Sequence, residues 1–364
     1  MAIDLSIFKN PTLTKETLKK LEELSADRHY TFMEVCGTHT VSIARYGFRS
    51  LLPQNITLLS GPGCPVCVSA NKDLDMAIAL AKLDEVILCT FGDMMRVPGS
   101  SSSLAKEKAQ GADVRVCYSP LDAIQIAKDN PDKEVVFAGV GFETTAPIVA
   151  AAAMEAHEAG LKNFSVLSIH KTMPNALEAI VNDAELGLDG LILPGHVSVI
   201  TGIAPYKFLA EKYHIPGVIT GFEPLDILLG VYELVDMVKH NTPEIKNAYP
   251  RGVRDEGNKA AQKIIAEVFD EVDVEWRGLG TIEKSGLDFN AHYDYLDARK
   301  RFEVHPEPTK EHKGCKCGDI LRGHMRPNDC PLFDKVCTPQ NPIGPCMVSS
   351  EGSCSAAFRY RDIG

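Results

Sequence analysis

Short runs of hydrophobic residues alternate with longer amphipathic stretches between residues 30 and 240. The runs are continuously apolar, and each ends in Gly, Pro or Ser before a helical stretch begins. This pattern is typical of parallel strands that helices cover on both faces. The predicted strands are YTFMEV, ITLLS, DEVILCTF, DVRVCY, KEVVFAGV, FSVLSIH, LDGLILPG and IPGVITG, and the predicted helices include 71–83, 120–129, 146–159 and 175–183.

These strands are too many for one small sheet, and two segments of the chain are alike. Gly141–Glu143 and Gly221–Glu223 both place Gly-Phe-Glu just past a predicted strand. We therefore predict an α/β fold with two similar doubly wound parallel-sheet (βα) domains flanking a cleft, plus a Cys-rich C-terminal domain. The expected boundaries are 25–125 for the first domain, 126–240 for the second, and 241–364 for the third, with 1–24 as a candidate addition to it.

The chain changes character after residue 240. A loop leads into an amphipathic helix within NKAAQKIIAEVFD, and VDVEWRGLGTIEKSGLDF shows the alternation of strands. From Asp294 onward the chain is rich in Cys, Pro, Gly, Lys and His and poor in aliphatic residues. Because such a tail builds little core, we expect a metal or a cluster to hold it folded.

The composition narrows the class of protein. With 364 residues, 45% hydrophobic and 24% charged, the chain is an ordinary globular protein. Its net charge of −11 disfavours a nucleic-acid partner. It lacks an apolar run of about 18 residues, and its first residues lack the core of a signal peptide. We predict a cytoplasmic protein with no membrane partner that binds small molecules, metals or other proteins.

Eleven cysteines are unusual for a protein of the reducing cytosol. Metal binding or redox chemistry explains them better than structural disulfides. Cys89 and Cys117 fall inside predicted strands and are interpreted as small buried apolar residues. The others form an early group, Cys36, Cys64 and Cys67, and a late group, Cys315, Cys317, Cys330, Cys337, Cys346 and Cys354.

The early cysteines lie where strands are predicted to end and helices to begin. Cys36 in EVCGTHT follows the first strand, and Cys64 and Cys67 in GPGCPVC follow the next. Ligands of open α/β sheets bind beyond the carboxyl ends of the strands, and a helix N-terminus stabilises a thiolate. Redox or metal chemistry is therefore favoured over ordinary loop cysteines or half of a zinc site.

Other polar residues at predicted strand ends are weaker candidates. His39 could bind a metal, relay a proton or hydrogen-bond its loop. Glu143 in GFETTAP could donate a proton, accept a hydrogen bond from a ligand, or stabilise a helix N-terminus. His196 in PGHVSVI faces the same expected cleft, although a structural role fits it equally well. Asp93 and Arg96 in FGDMMRVPG are comparable.

The late cysteines have an uncommon spacing, Cys315-x14-Cys330-x6-Cys337-x16-Cys354. It matches neither the paired units of a zinc finger nor the compact run of bacterial ferredoxins. Six cysteines with few acids nearby favour a site made of thiolates. An iron–sulfur cluster and a zinc ion both fit this spacing, and the cluster is favoured because the early thiols give it a redox partner.

Taken together, MEVCGTHT, GPGCPVC, GFETTAP, PGHVSVI and the spacing of the tail resemble the HypD family of [NiFe]-hydrogenase maturation factors over essentially the whole chain. The resemblance implies two similar α/β domains and a third domain that holds a [4Fe–4S] cluster. It also implies a scaffold on which iron receives cyanide and carbon monoxide. A HypC-type small chaperone and a HypE-type cyanide donor would take part, before transfer of the iron unit to the hydrogenase large-subunit precursor.

The resemblance also suggests roles for individual residues. Cys36, Cys64 and Cys67 would hold the iron being assembled, with Cys36 as the essential thiol and Cys64 and Cys67 also acting as a redox-active pair. Glu143 and His196 would position or protonate ligands in the cleft, which is a hypothesis. Cys317 and Cys346 fall outside the pattern. The cluster ligands would be Cys315, Cys330, Cys337 and Cys354.

Two other functions remain open at this point. An iron–sulfur-dependent protein disulfide reductase would also use the early thiol pair and the cysteine tail. A zinc-stabilised binding protein would need only the tail. Whether the scaffold is itself an enzyme is left open by the sequence.

Overall fold

The computed structural model describes residues 8–361 and shows an α/β protein with two parallel sheets and one antiparallel hairpin. All eight predicted strands are present, as β1 to β8, which confirms the α/β prediction. The strands are β1 Tyr30–Glu34, β2 Ile56–Ser60, β3 Val86–Thr90, β4 Val114–Val116, β5 Glu134–Gly141, β6 Phe164–His170, β7 Gly190–Leu193, β8 Gly217–Ile219, β9 Ile245–Asn247, β10 Phe269–Trp276 and β11 Gly280–Phe289.

The helices lie between the strands, as the periodicity predicts. The predicted helix at 120–129 has those bounds in the structure, and the other three shift by one or two residues at their ends. The helices are α1 Pro11–Ser25, α2 Gly37–Arg45, α3 Phe48–Leu51, α4 Pro65–Val68, α5 Asn71–Ala81, α6 Leu104–Ala109, α7 Pro120–Asp129, α8 Ala146–Glu158, α9 Met173–Val181, α10 Gly195–Thr201, α11 Lys207–Tyr213, α12 Pro224–His240, α13 Lys259–Val268, α14 Ala298–Arg301, α15 Cys317–Leu321, α16 Pro345–Val348 and α17 Ser353–Arg359. Short 3₁₀ turns add Gly92–Arg96, Ala184–Leu186, Ala204–Tyr206, Asp294–Leu296 and Pro327–Asp329. No helix within residues 8–361 is long and apolar enough to cross a membrane.

The first sheet has the strand order β2-β1-β7-β8-β9, and all its strands are parallel. The strand that follows β1 in the chain, β2, lies on one side of it, whereas β8 and β9, which follow β7, lie on the other side of the sheet. The connections after β1 and β7 therefore run in opposite directions. Such a switch point opens a crevice at the carboxyl ends of the two strands. Cys36 follows β1 and His196 follows β7, so both residues lie at this crevice.

The second sheet has the order β4-β3-β5-β6 and is also parallel. Its switch point lies between β3 and β5, where the loops carry Asp93 and Glu143. This sheet is inserted in the sequence between β2 and β7 of the first sheet. The predicted domain boundary between residues 125 and 126 therefore does not separate the two sheets. It falls inside α7, which connects β4 to β5 within the second sheet. Hydrophobic runs identify strands but do not say which strands pair.

One strand was not predicted. Residues 245–247 were interpreted as part of a loop, but they form β9, the edge strand beside β8. The strand is only three residues long and holds a single aliphatic side chain, Ile245, with Lys246 and Asn247 after it. The apolar signal is weak because an edge strand has no second neighbour to bury it.

The remaining strands, β10 and β11, form an antiparallel hairpin that joins the second sheet to the early cysteine loop. Trp276 at the end of β10 is fully buried, stacks on Phe142, and donates a hydrogen bond to Ser285 (2.8 Å). The backbone N–H of Arg277 donates to Val68 in α4 at 2.8 Å. The hairpin thus anchors α4, the short helix that carries the second cysteine of GPGCPVC.

The N-terminal helix α1 packs on α12 and the first sheet. Leu21 is fully buried there beside Tyr30 and Leu234. Residues 1–24 were considered as a possible part of the C-terminal domain. In the structure, residues 11–24 pack on the first sheet instead. Residues 1–7 lie outside the described part of the chain. The apolar face of α1 finds its partner on α12 because both are amphipathic helices.

Candidate functional site

The loop after β1 and the loop after β2 touch through their backbones. The N–H of Gly37 donates to the carbonyl oxygen of Gly63 at 2.9 Å. A Cβ atom on Gly63 would lie 2.5 Å from the backbone nitrogen of Cys36, so only glycine allows this approach. Because β1 and β2 are paired along their full length, their cysteine-bearing loops meet at one edge of the sheet. The predicted proximity of the two motifs is thereby explained.

Cys36 is the residue before α2, and its thiol is 6% exposed. Burial raises the pKa of this thiol to about 12, and the carboxylate of Glu351 adds to the effect. The thiol therefore stays protonated at neutral pH until a cation binds. A metal ion that binds a thiol displaces its proton and so reverses this preference. The site is electrostatically suited to a thiol that is ionised only with its metal.

Glu34 lies directly behind Cys36 and was not identified from the sequence. Its fully buried carboxylate accepts hydrogen bonds from the hydroxyl of Thr40 (2.6 Å) and the N–H of Cys36 (3.2 Å). Burial raises the pKa of this carboxyl to about 7. A glutamate at an inward position of the apolar run YTFMEV was the available signal, because an acid is rarely buried there without a specific role.

His39 connects two loops of the first sheet. Its Nε2 lies 2.9 Å from the carbonyl oxygen of Gly221 and 2.9 Å from the hydroxyl of Thr220, and its ring packs on Phe222. Within the described part of the chain, its Nδ1 has no hydrogen-bond partner. Burial lowers the pKa of His39 to about 4, so the ring is neutral. Of the three roles considered, these contacts match a hydrogen bond that fixes the loop.

His196, Thr38 and Glu351 form a group at the opening of the crevice. The hydroxyl of Thr38 donates to Glu351 Oε1 at 2.6 Å and lies 3.4 Å from His196 Nδ1. The ring of His196 packs on Phe222 at a tilt of 34°, with centroids 4.2 Å apart. A Cβ on Gly37 would lie 2.5 Å from Glu351 Cβ, so the C-terminal segment covers the Cys36 loop closely. Sequence reasoning missed Glu351 because only the folded tail brings it here.

Cys64 and Cys67 flank the first turn of α4. Cys64 is the N-cap residue, and its sulfur accepts a hydrogen bond from the N–H of Cys67 at 3.3 Å. Both are free and buried, at 3% and 0% exposure. Burial raises the pKa of the Cys67 thiol above its ordinary value. The turn holds the two side chains on the same side of the helix, as a pair that exchanges with other thiols requires.

Cys317 and Cys346, which fall outside the cysteine spacing of the predicted cluster site, lie next to this pair. Cys346 lies in α16, which packs on α4, and its thiol is near enough to Cys67 and Cys317 that both affect its pKa. The sulfurs of Cys317 and Cys346 are 2.6 Å apart, and Cys317 in turn contacts Cys315. A continuous series of thiols therefore runs from Cys64 into the C-terminal tail. Sequence spacing could not reveal it, since the contacts join α4 to α16 and α15 across the fold.

The four cysteines of the predicted cluster site surround one small cavity. The carboxyl-free lining also includes Ile320, Leu332, Phe333 and Met347. Burial and the neighbouring thiols of the cavity raise the pKa of Cys354. These thiols form an all-sulfur donor set in a lining that is apolar apart from Lys316. Such a set fits an iron–sulfur cluster or a zinc ion and offers nothing to a hard cation. The cysteines that line the cavity are Cys315, Cys317, Cys330, Cys337, Cys346 and Cys354.

Glu143 occupies a different position from the Cys36 group. Its Oε1 accepts a hydrogen bond from the N–H of Met173 at 2.9 Å, and no partner for Oε2 exists among residues 8–361. Burial raises the pKa of its carboxyl to about 7. The side chain lines a separate cavity with Thr201 and Gln262. Burial raises the pKa of the Tyr206 hydroxyl, and Glu143 and Cys36 both lie near enough to add to this effect.

The loop after β3 contacts the C-terminal segment. Asp93 accepts a hydrogen bond from the hydroxyl of Ser349 at 3.4 Å, and Arg96 donates to the carbonyl oxygen of Pro339 at 3.0 Å. The two weaker candidates therefore lie where the second sheet meets the tail. They join the two regions without touching Cys36 or His196 through a hydrogen bond.

Comparison with known proteins identifies the family. A model of the HypD family, described as a hydrogenase formation hypA family, matches residues 12–361. The chain belongs to the HypD family. The hydrogenase maturation factor HypD of Rhodobacter capsulatus is 45% identical over 98% of this chain and 97% of its own length. The HypD protein of Escherichia coli K12 is 42% identical over 97% of both chains. A putative hydrogenase expression/formation protein of Methanocaldococcus jannaschii is 43% identical over 96% of this chain and 98% of its own.

Membership of the HypD family confirms the resemblance drawn from MEVCGTHT, GPGCPVC and the spacing of the tail. The match extends from α1 to the end of α17, so both sheets, the hairpin and the cysteine tail belong to the shared structure. The thiols described above are therefore not confined to an appended segment. They are part of a unit that the whole family model covers.

Proposed function

We propose that this chain acts in hydrogenase maturation as a redox-active scaffold on which the Fe(CN)2CO unit of [NiFe] hydrogenase is assembled. The observation that carries the proposal is the continuous arrangement of thiols. Cys36 lies at the switch point of the first sheet, Gly63 joins its loop to that of Cys64, and sulfur contacts continue from there to the cavity of the tail. An iron site, a dithiol and a cluster site are thus next to one another.

Iron is the cargo in this proposal, and Cys36 is its anchor. A soft thiolate suits low-valent iron that carries cyanide and carbon monoxide. Cys36 is only 6% exposed, so little water reaches its thiol, and the rings of His196 and Phe222 pack on each other at the loops after β7 and β8. Thr38 and Glu351 hold the tail over the Cys36 loop at 2.6 Å. The loss of the Cys36 proton on iron binding requires a base, and the nearby Glu34, with a pKa of about 7, can take part at neutral pH.

Cys315, Cys330, Cys337 and Cys354 would hold a [4Fe–4S] cluster, which when bound would supply single electrons. The protein's own thiols connect that site to the early pair. The Cys346 thiolate attacks Cys67 of a Cys64–Cys67 disulfide, and the Cys64 thiolate leaves. Cys317 then attacks Cys346 and releases Cys67. Two electrons pass to the early pair, and the oxidised product is a Cys317–Cys346 disulfide.

The partners follow from the same proposal. A HypC-type small chaperone would bring or share the iron at Cys36, and a HypE-type protein would donate cyanide. The finished unit would pass to the hydrogenase large-subunit precursor. Support comes from the open side of the crevice, where the exposed His196 has its Nδ1 3.4 Å from the hydroxyl of Thr38, two residues after Cys36. A partner that delivers a ligand would have to dock there.

The test is infrared spectroscopy of the anaerobically purified protein in complex with a HypC-type partner. We expect absorption bands of metal-bound cyanide and carbon monoxide, together with iron and sulfide in the protein. The absence of these bands with every partner present would contradict the scaffold function. Zinc without iron or sulfide would favour a zinc-stabilised binding protein.

The disulfide reductase makes a different prediction. Such an enzyme would turn over a protein disulfide, with Cys64 and Cys67 required and Cys36 dispensable. The scaffold requires Cys36 and predicts no multiple turnover. The comparison of Cys36→Ser with Cys64→Ser in both assays therefore separates the two functions.

A further inference from the structure

Two cysteines of the second sheet take no part in the proposed function. Cys89 lies in β3, and Cys117 follows β4, the edge strand beside it. The parallel register pairs Cys89 with Arg115 and Thr90 with Val116, and the N–H of Cys117 donates to the carbonyl oxygen of Thr90 at 2.9 Å. Paired residues of parallel strands share a face, and side chains alternate with a period of two. Cys89 and Cys117 are therefore diagonal neighbours on one face.

The two thiols lie in the same apolar layer, near enough that each shifts the pKa of the other. Both are free, and their exposures are 0% for Cys89 and 3% for Cys117. The layer around them includes Ile87, Ile124 and Phe137. Diagonal neighbours on adjacent strands are about 7–8 Å apart, so an S–S bond between them needs the short end of β4 to move toward β3. The layer is separate from the core that contains Cys64 and Cys67.

Neighbouring side chains make Cys117 a better nucleophile than Cys89. The guanidinium of Arg115 lies near both thiols and also pairs with Asp113 at 2.7 Å. A hydrogen bond from Cys89 and the charge of Arg115 hold the pKa of Cys117 below its ordinary value, against burial and the carboxylate of Asp122. The thiolate is the reactive form of cysteine. Cys117 is thus the thiol that starts an exchange.

The position of Cys117 also gives it a route to solvent. The strand β4 has three residues, and no strand within residues 8–361 pairs with its outer side. Val116 and Tyr118 on either side of Cys117 are 46% and 96% exposed. Short edge strands open locally at a low cost in free energy. A small reagent therefore reaches Cys117 when the end of β4 opens, without unfolding the sheet.

We propose that Cys89 and Cys117 are a second redox-active thiol pair, which small disulfides such as oxidised glutathione convert into an intramolecular disulfide. The Cys117 thiolate attacks the glutathione disulfide, forms a mixed disulfide and releases one glutathione. The Cys89 thiolate then attacks Cys117 and releases the second. The pair loses two protons and two electrons, and the electrons reduce glutathione disulfide to two thiols.

The disulfide would close the loop that runs from β3 to β4. This loop includes Gly92–Arg96, whose residues Asp93 and Arg96 bind Ser349 and Pro339 of the tail. A covalent closure restricts the conformations of the enclosed segment. Oxidation at the edge of the second sheet would therefore stiffen the connection between that sheet and the cysteine tail.

The test is differential alkylation of the full chain, prepared anaerobically and equilibrated with glutathione buffers of stepped oxidation. Samples are quenched in acid, unfolded, labelled with iodoacetamide, reduced and labelled again with N-ethylmaleimide. We expect Cys89 and Cys117 to change label together, with one midpoint, and a cross-linked peptide in the unreduced digest. In Cys89→Ala, Cys117 should instead accumulate as its glutathione adduct.

Two controls keep the result interpretable. The variant Cys64→Ser/Cys67→Ser should oxidise at Cys89 and Cys117 with an unchanged midpoint, since the pair does not depend on the early motif or the iron chemistry. Far-ultraviolet circular dichroism checks that Cys89→Ala is folded. The proposal is overturned if Cys89 and Cys117 stay alkylatable at every ratio that oxidises Cys64 and Cys67, or if they react independently of each other.

Discussion

The two parallel sheets of this protein share a strand order and differ in chemistry. In both, the second strand lies outside the first, and the third and following strands lie on its other side. The switch point of the first sheet carries Cys36 and His196 and is covered by the cysteine tail. That of the second carries Asp93 and Glu143, and its two thiols are withdrawn into an apolar layer. The same topology thus builds a thiol site once and a carboxylate site once.

The contrast shows that the fold supplies the position and the loop residues supply the reaction. Both crevices form for the same reason, because connections diverge from a central strand. Only the first has a neighbouring glycine turn, at Gly63, that brings a second cysteine loop against it. Variants that exchange or remove these features test the contrast directly.

The largest effect is expected for Cys36→Ser. Because a hydroxyl is a hard ligand and stays protonated, the variant should lose all infrared bands of iron-bound cyanide and carbon monoxide in complex with a HypC-type partner. Cys89→Ala, which removes a thiol from the second sheet, should keep them. Bands of wild-type intensity in Cys36→Ser would show that the first switch point does not hold the iron.

The second-largest effect is expected for Cys346→Ala, since Cys346 is proposed to pass electrons to the Cys64–Cys67 pair. In Cys346→Ala, a Cys64–Cys67 disulfide should be reduced at least about tenfold more slowly by the dithionite-treated protein, because the attacking thiolate is absent. Alkylation after acid quenching measures the rate, and the visible absorbance of the cluster should be unchanged. An unchanged rate would mean that electrons reach the early pair by another route. Cys89→Ala is again the matched control.

Glu143→Gln tests the second switch point. Iron-unit assembly should fall on the order of tenfold, less than the 10²- to 10⁴-fold loss typical of a group that transfers a proton in the reaction. The reason is that Glu143 lines a separate cavity and acts on the Cys36 region only from a distance. The absorbance of the cluster should be intact. Assembly at the wild-type rate would remove Glu143 from the function.

A smaller and pH-dependent effect is expected for Glu34→Gln. Burial raises the pKa of Glu34 to about 7, from about 4.3 in unfolded chains. Between these values the folded state keeps a proton that the unfolded chain has lost. The contribution of Glu34 to the free energy of unfolding therefore falls as the pH rises from about 4.5 to 7, and it is constant above about pH 7. The free energy of unfolding of Glu34→Gln, measured relative to that of the wild type, should therefore increase by up to about 3 kcal/mol between pH 5 and pH 8.

Urea denaturation at pH 5 and pH 8 under anaerobic conditions measures this difference. Glu143 has a pKa raised to about 7 for the same reason, so Glu143→Gln is the matched variant in the second sheet. The two variants should show similar shifts. A difference between wild type and Glu34→Gln that is equal at both pH values would contradict the raised pKa.

The smallest effect is expected at the glycine turns. Gly63→Ala places a methyl group 2.5 Å from the backbone nitrogen of Cys36, which cannot move aside. It should lower the free energy of unfolding by about 1–3 kcal/mol and impair iron binding. Gly92→Ala, in the corresponding loop of the second sheet, meets only Val116 at 3.6 Å. It should change stability by less than about 0.5 kcal/mol. Equal losses would remove the distinction between the loops.

Much of this arrangement was predictable from the sequence, for physical reasons. Runs such as DEVILCTF must be buried on both faces, which identified the strands, and strand ends identified Cys36, Cys64 and His196 as neighbours. The pairing of β1 with β7 was not predictable, since no local pattern marks an insertion of about 130 residues. Glu351 and Cys346 were missed as site residues because the tail that bears them has no periodicity. Their roles arise from contacts that only the folded chain makes.

The insertion of one sheet into the other has a consequence for synthesis. Strands β1 and β2 leave the ribosome early, yet their neighbour β7 follows only after the whole second sheet has emerged. Domains fold as units during synthesis, so the inserted sheet can form first while the segment with Cys36 waits for Gly190–Leu193. Glu351, which covers the Cys36 loop, comes later still. A nascent chain therefore presents the thiol of Cys36 before the residues that enclose it in the folded protein have been made. If Cys36 holds iron as proposed, metal loading would wait until translation is complete.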